Sequence, residues 1–144
     1  MNTVKFSCTV EPTNPTVPLN FEVLLDGECV FELCPVTETT QVAIDIPDDE
    51  SNHKLSFCMS GKTRRHTRLD ADGNIVQDAC LKISNISFDD ISITDLLPQK
   101  AVYHHDFNGT GSPTQDPFYQ TMGCNGSADI EFSTPIYLWL LDNM

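Results

Sequence analysis

The sequence predicts an all-β chain, an antiparallel two-sheet β-sandwich or jelly roll with a long polar loop at about residues 61–79. Apolar residues recur at every second position in one short stretch after another, the period that places side chains on one face of a strand. Turn-forming clusters separate these stretches at short intervals, and no long amphipathic helical pattern interrupts them. All 144 residues are read as one domain, because a 40% hydrophobic content is enough to fill a core without help from disulfides.

The first alternating stretch is Val4, Phe6, Cys8 and Val10, followed after a Pro-rich connector by Leu19, Phe21, Val23 and Leu25. Asp26-Gly27 is a tight-turn signal and leads into Cys29, Phe31 and Leu33, which predicts a hairpin. Val42, Ile44 and Ile46 form a further strand. After the turn cluster Pro47 to Asn52 the alternation resumes at Leu55, Phe57 and Met59, which predicts a second hairpin. From Gly61 to Ala79 the chain is polar, with Asp72-Gly73-Asn74 as a turn near the centre of a protruding loop or hairpin. Leu81, Ile83, Ile86, Phe88, Ile91 and Ile93 change parity at Ser84-Asn85 and at Asp89-Asp90, so bulges or bends are expected there. A short strand follows around Ala101 to Tyr103, then a Gly/Pro/Asn-rich segment from Phe107 to Gly126, then a final pair at Ile130 to Phe132 and Ile136 to Leu141.

In that last run both faces are apolar. Burial as a central strand, contact with another subunit, and a sugar-stacking platform formed by Tyr137 and Trp139 all satisfy the pattern. Tyr137, Trp139 and, from the long loop, His66 are the ligand-binding candidates.

With 8 basic against 21 acidic residues, a net charge of −13 opposes any surface that must neutralise phosphates. Nucleic acid and anionic membrane are therefore not expected partners. Cations, neutral glycans or a basic patch on another protein suit the charge. The most apolar run, Ile136 to Leu141, falls far short of the roughly 20 residues of a helical span. Met1 leads directly into alternating residues without a secretion-signal pattern, so synthesis in the cytoplasm is expected. The six cysteines lack a C-x-x-C pair and are expected to be reduced, with Cys8 a small core hydrophobe and Cys124 a buried loop thiol.

Ser60-Gly61-Lys62-Thr63 has the end of a phosphate-binding loop but not its beginning, since Ser56 stands where the first glycine belongs. Asp70, Asp72 and Asn74 alternate ahead of a polar segment ending in Asp78, and oxygens so placed suit a hard cation such as Ca2+, for which Asp70, Asp72 and Asp78 are the candidate ligands; a plain hairpin turn is the reading the spacing favours. Asp89-Asp90 is open to the same two readings. His104, His105 and Asp106 are adjacent, and neighbours on a strand point to opposite faces, so they do not form one catalytic group. With no nucleophile signature elsewhere, the expected activity is binding, not catalysis.

Taken together, M-S-G-K-T from Met59, D-A-D-G-N-I-V-Q-D-A from Asp70, N-I-S-F-D-D-I from Asn85, H-D-F-N-G from His105, M-G-C-N-G from Met122 and T-P-I-Y-L-W-L-L from Thr134 resemble a group of uncharacterised small proteins of tailed bacteriophages, especially phages of marine cyanobacteria. The resemblance runs from about Met59 to the end. More loosely, a hairpin-rich first half followed by a polar loop and L-K-I-S-N-I-S-F-D-D-I is similar to calcium-dependent, xylan-binding carbohydrate-binding modules. That second resemblance implies a jelly roll that holds sugar through calcium, with the calcium loop near Ser60 to Asp78. Where such modules carry an acidic residue just after the strand, this chain has Ser60-Gly61.

The resulting expectation is a non-catalytic, virion-associated module that binds glycan, with Ca2+ held by Asp70, Asp72 or Asp78. The alternative is a structural or decoration protein that docks onto other capsid or tail subunits, or onto a second copy of itself.

Overall fold

A computed structural model of the chain describes residues 3–62, 68–69, 71–72, 75–77, 79–106 and 111–143. Two antiparallel sheets lie face to face. The first has the order β12–β8–β1–β4, built from β1 (Thr3–Pro12), β4 (Thr40–Pro47), β8 (Leu81–Phe88) and β12 (Thr121–Met122), with β9 (Ile91–Ser92) paired to β8. The second has the order β11–β10–β13–β5–β2–β3, from β2 (Asn20–Leu25), β3 (Glu28–Leu33), β5 (Asn52–Ser60), β10 (Ala101–His105), β11 (Thr114–Pro117) and β13 (Gly126–Ser133). Inside the polar stretch 61–79, β6 (Arg68–Leu69) pairs with β7 (Ile75–Gln77), as a hairpin reading requires. Buried Lys62 and Ala79 anchor its two ends.

The alternation places the core where the pattern requires it. Val4, Phe6, Cys8, Val10, Val42, Ile44 and Ile46 face inward from one sheet, and Phe21, Val23, Leu55, Phe57 and Met59 from the other. Aromatic rings join the two layers. Phe6 meets Phe57 at a centroid distance of 5.9 Å, and Phe88 meets Phe132 at 4.9 Å. The Asp26-Gly27 turn closes the β2–β3 hairpin with φ of 53° and 86°, the left-handed pair that a two-residue hairpin needs. In β8 the parity change is a bulge: Ser7 pairs with Ser87 but Thr9 pairs with Ser84. Asn85 adopts φ 53° there, and its side-chain amide donates to Thr9 Oγ1 at 3.3 Å. At Asp89-Asp90, with φ of 47° and 67°, the chain makes a tight turn from β8 into β9.

Two expected elements differ. The strands β4 and β5 do not form a hairpin: β4 pairs with β1 in one sheet, while β5 pairs with β2 and β13 in the other. Alternation reports which side of a strand is buried, and a turn that crosses between layers preserves that signal as well as a hairpin does. The run from Ile136 is not a strand but the helix α2 (Ile136–Asn143). A continuous apolar run carries no period-two information, and the helix starts where Pro135 O accepts from the Leu138 and Trp139 amides. Ile136 and Leu140, one turn apart, are its buried face. Short elements without alternation were also invisible to pattern: β11, β12, the 3-10 turn Thr94–Leu96 and α1 (Leu97–Lys100).

Phe88 is fully buried and touches rings from both layers and from α2, with Phe6 at 5.4 Å, Phe132 at 4.9 Å and Trp139 at 6.2 Å. Phe88→Ala is expected to cost about 3–5 kcal/mol in equilibrium urea unfolding; a loss below about 1 kcal/mol would show that the layers do not depend on this ring.

Candidate functional site

An open hollow of about 520 Å³ lies at the end of the sandwich where α2 packs, lined by Asp26, Asn52, His53, Lys54, Glu131, Phe132, Ser133 and Trp139. Strand pairing assembles it. Glu131 faces Lys54, Phe132 faces His53 and Ser133 faces Asn52 across β13 and β5. Trp139 comes from α2, its indole edge-on to Phe88 and Phe132.

His53 occupies an inward position, in parity with Leu55, Phe57 and Met59, and its side chain is only 6% exposed. Its ring stands 5.6 Å from that of Phe132. Nδ1 lies 2.6 Å from Asp26 Oδ2, and Nε2 lies 2.8 Å from Asp49 Oδ1 and 3.2 Å from Ser51 Oγ. Ionised carboxylates only accept hydrogen bonds, so the imidazolium form, with a donor on each ring nitrogen, satisfies Asp26 and Asp49 together. Burial pulls its pKa down, but the hydrogen bonds and charges of Asp26 and Asp49 outweigh that and raise it above the ordinary value. Reciprocally, hydrogen bonds from Ser51 and His53 bring Asp49 to about 2. Partial burial pushes Asp26 up, while His53 and the Lys54 amide, donating to Oδ1 at 2.8 Å, hold it below the usual range. Thr134 joins the group, donating from Oγ1 to Asp49 Oδ1 at 3.2 Å and accepting from the Ser51 amide at 3.2 Å.

A second hollow of about 460 Å³ is lined by His104, His105, Asp106, Pro113, Thr114, Gln115, Asn125 and Gly126. The two histidines diverge as strand neighbours do: His104 pairs with Asp129 at 3.4 Å, and His105 pairs with Asp116 at 2.7 Å.

Trp139 lines the first hollow, but Tyr137 lies about 200° further round the helix and donates its hydroxyl to Asp89 Oδ2 at 2.9 Å. The helix therefore separates two rings that a strand would have aligned. His66, Asp70 and Asp78 lie outside the described residues, and Asp72 is exposed in a turn. Among the described residues, the donor atoms that fall within 4.8 Å of one another belong to Glu22, Glu32 and Cys34, and a thiol is foreign to calcium. Both oxygens of Asp89 already accept hydrogen bonds, from the Lys5 amide and from Tyr137. Asp26, Asp49, His53, Asn52, Lys54 and Glu131 were not singled out from sequence. The available signal was a histidine on the apolar parity of a strand.

No protein-family model matches the sequence, and no curated protein matches it. Among solved structures, the chain is similar to one described as vCBM60 in complex with galactobiose, at 12% identity and a TM-score of 0.48, over 92% of this chain and 98% of that one. At that distance the overlap assigns no function.

Lys62, from the phosphate-loop-like motif, is 5% exposed, and its Nζ donates to Gly123 O at 2.6 Å. Its amide donates to Asn125 Oδ1 at 2.9 Å, and Asn125 Nδ2 donates back to Lys62 O at 2.8 Å. The lysine ties the start of the polar loop to the β12–β13 connection. Lys62→Met should lower stability by about 1–3 kcal/mol in urea unfolding, with no nucleotide stabilising the wild type; protection by ATP would restore the phosphate-loop reading.

Proposed function

We propose that the protein is a non-catalytic glycan-binding module and that the hollow beside Trp139 is its sugar site. The observation that carries this is the composition of one open concavity, in which the partly exposed Trp139 stands with Asn52, Lys54, Glu131 and Ser133. A sugar ring offers an apolar C–H face and a rim of hydroxyls that both donate and accept. An aromatic surface bordered by donors and acceptors suits both. The net charge of −13 favours a neutral ligand over a phosphorylated one. The virion setting rests on the sequence resemblance to phage proteins. Calcium dependence rests on Asp70, Asp72 and Asp78 as the sequence presents them.

A second reading is favoured by a separate surface. Tyr137, Leu138 and Leu141 are 54%, 59% and 77% exposed on α2, beside a shallow apolar cleft lined by Ile91, Tyr137, Leu140 and Leu141. Such a surface suits docking onto another virion subunit.

A glycan array probed with the purified chain, in calcium and again in EDTA, separates these readings. The proposal expects binding that Asn52→Ala and Glu131→Ala each weaken by about tenfold, the loss of a hydrogen bond or two at about 1.4 kcal/mol per decade. Binding lost in EDTA adds calcium to the site. Absence of binding in both buffers, with the chain present at fixed stoichiometry in particles, favours docking.

A further inference from the structure

We propose that His53, in its doubly protonated form, is a latch that holds together the β2–β3 turn, the β4–β5 connection and the base of α2, and that deprotonation loosens this end of the sandwich around Trp139. Two of the segments meet at the imidazole, and the third joins them through Asp49 and Ser51. Asp26 belongs to the β2–β3 turn and Asp49 to the β4–β5 connection. Thr134, two residues before α2, is tied to Asp49 through its hydroxyl and to Ser51 through its backbone amide, which donates to Ser51 O at 3.0 Å.

A neutral imidazole has one N–H. Whichever tautomer it takes, one of the two aspartates then faces a bare nitrogen lone pair at 2.6–2.8 Å on a ring that is itself buried. The Asp49 arm is the one able to let go. Asp49 retains the hydroxyls of Ser51, at 2.6 Å, and Thr134 as donors, whereas Asp26 and His53 form the shorter pair and Asp26 is fixed by the Lys54 amide. Release of Asp49 withdraws one restraint from the segment that leads into α2, and hence from Trp139.

The charged groups around the imidazole all act in one sense or lie further off. Asp26 and Asp49 face it directly, Glu131 and Lys54 line the same hollow, and Asp89 reaches α2 through Tyr137. A folded pKa above the ordinary 6.5 means that the contribution of His53 to stability is complete below about pH 6.5 and is lost as pH rises through the raised value. For Asp26 and Asp49 the folded pKa is depressed, so their contribution is present above about 3.8 and is lost as pH falls through the lowered values. The latch is closed between those limits. Weakened glycan binding at alkaline pH would follow only if the hollow is the sugar site; the latch itself does not rest on that reading.

Trp139 is the one tryptophan of the chain and reports on α2 directly. With no glycan present, its emission is followed from pH 5 to 9 alongside the 15N shifts of the His53 ring. Both are expected to move together with a midpoint above 6.5, Asp26→Asn should lower that midpoint by about one unit, and His53→Asn should abolish the emission change. An emission change that survives in His53→Asn overturns the latch. So does a wild-type His53 ring that is already neutral at about pH 6, a reading that does not require the variant to fold.

Discussion

The contact between aromatic rings of opposite layers is the constraint from which the rest of the structure follows. Phe6 on Phe57 and Phe88 on Phe132 set the separation and alignment of the two sheets. Phe21 and Phe118 extend the cluster on the second sheet, both against Phe57. The cluster leaves Phe88 and Phe132 at the end of the sandwich, and α2 closes that end by setting the Trp139 indole edge-on against both. Rings in such geometry contribute roughly 0.5–1.5 kcal/mol per pair beyond the area they bury. The placement of α2 is thus a consequence of core packing, and the hollow exists because the helix stands at the paired ends of β13 and β5.

The buried imidazolium at this end is unusual chemistry for a core position. Burying a charge is costly unless it is paired and hydrogen-bonded, and His53 meets that condition with a carboxylate on each nitrogen. A chain with a net charge of −13 provides a field that favours a retained proton. The inward cation also replaces what would otherwise be a repulsive approach of Asp26 and Asp49. Electrostatics and packing here act on the same residues, since the Phe132 ring that flanks the imidazole also receives Trp139.

Much of the fold was legible because one face of nearly every long strand is apolar and the other polar. Val4 through Val10 and Leu55 through Met59 show this directly, and even the bulge at Asn85 announced itself as a parity change. The connectivity was less legible: Pro47 to Asn52 marks a turn, but a turn between layers and a turn within a sheet leave the same alternation. The C-terminal helix was hidden for a different reason, since six contiguous apolar residues fit either period. The candidate site was hardly legible. Trp139 was singled out as one half of a strand-borne platform with Tyr137, and a helix turns the two rings apart. Asp49 stands four positions before His53, but Asp26 is separated from it by 27 positions and meets it only through the pairing of β2 with β5. Local spacing does not carry such information.

The most direct test of the account is to map glycan contacts by 15N-detected chemical-shift changes as the best array ligand is titrated into the labelled chain. The shifts are expected to cluster at Asn52, Lys54, Glu131, Ser133 and the Trp139 indole. Shifts centred instead on His104, Gln115 and Asn125, or on the exposed face of α2, would contradict it.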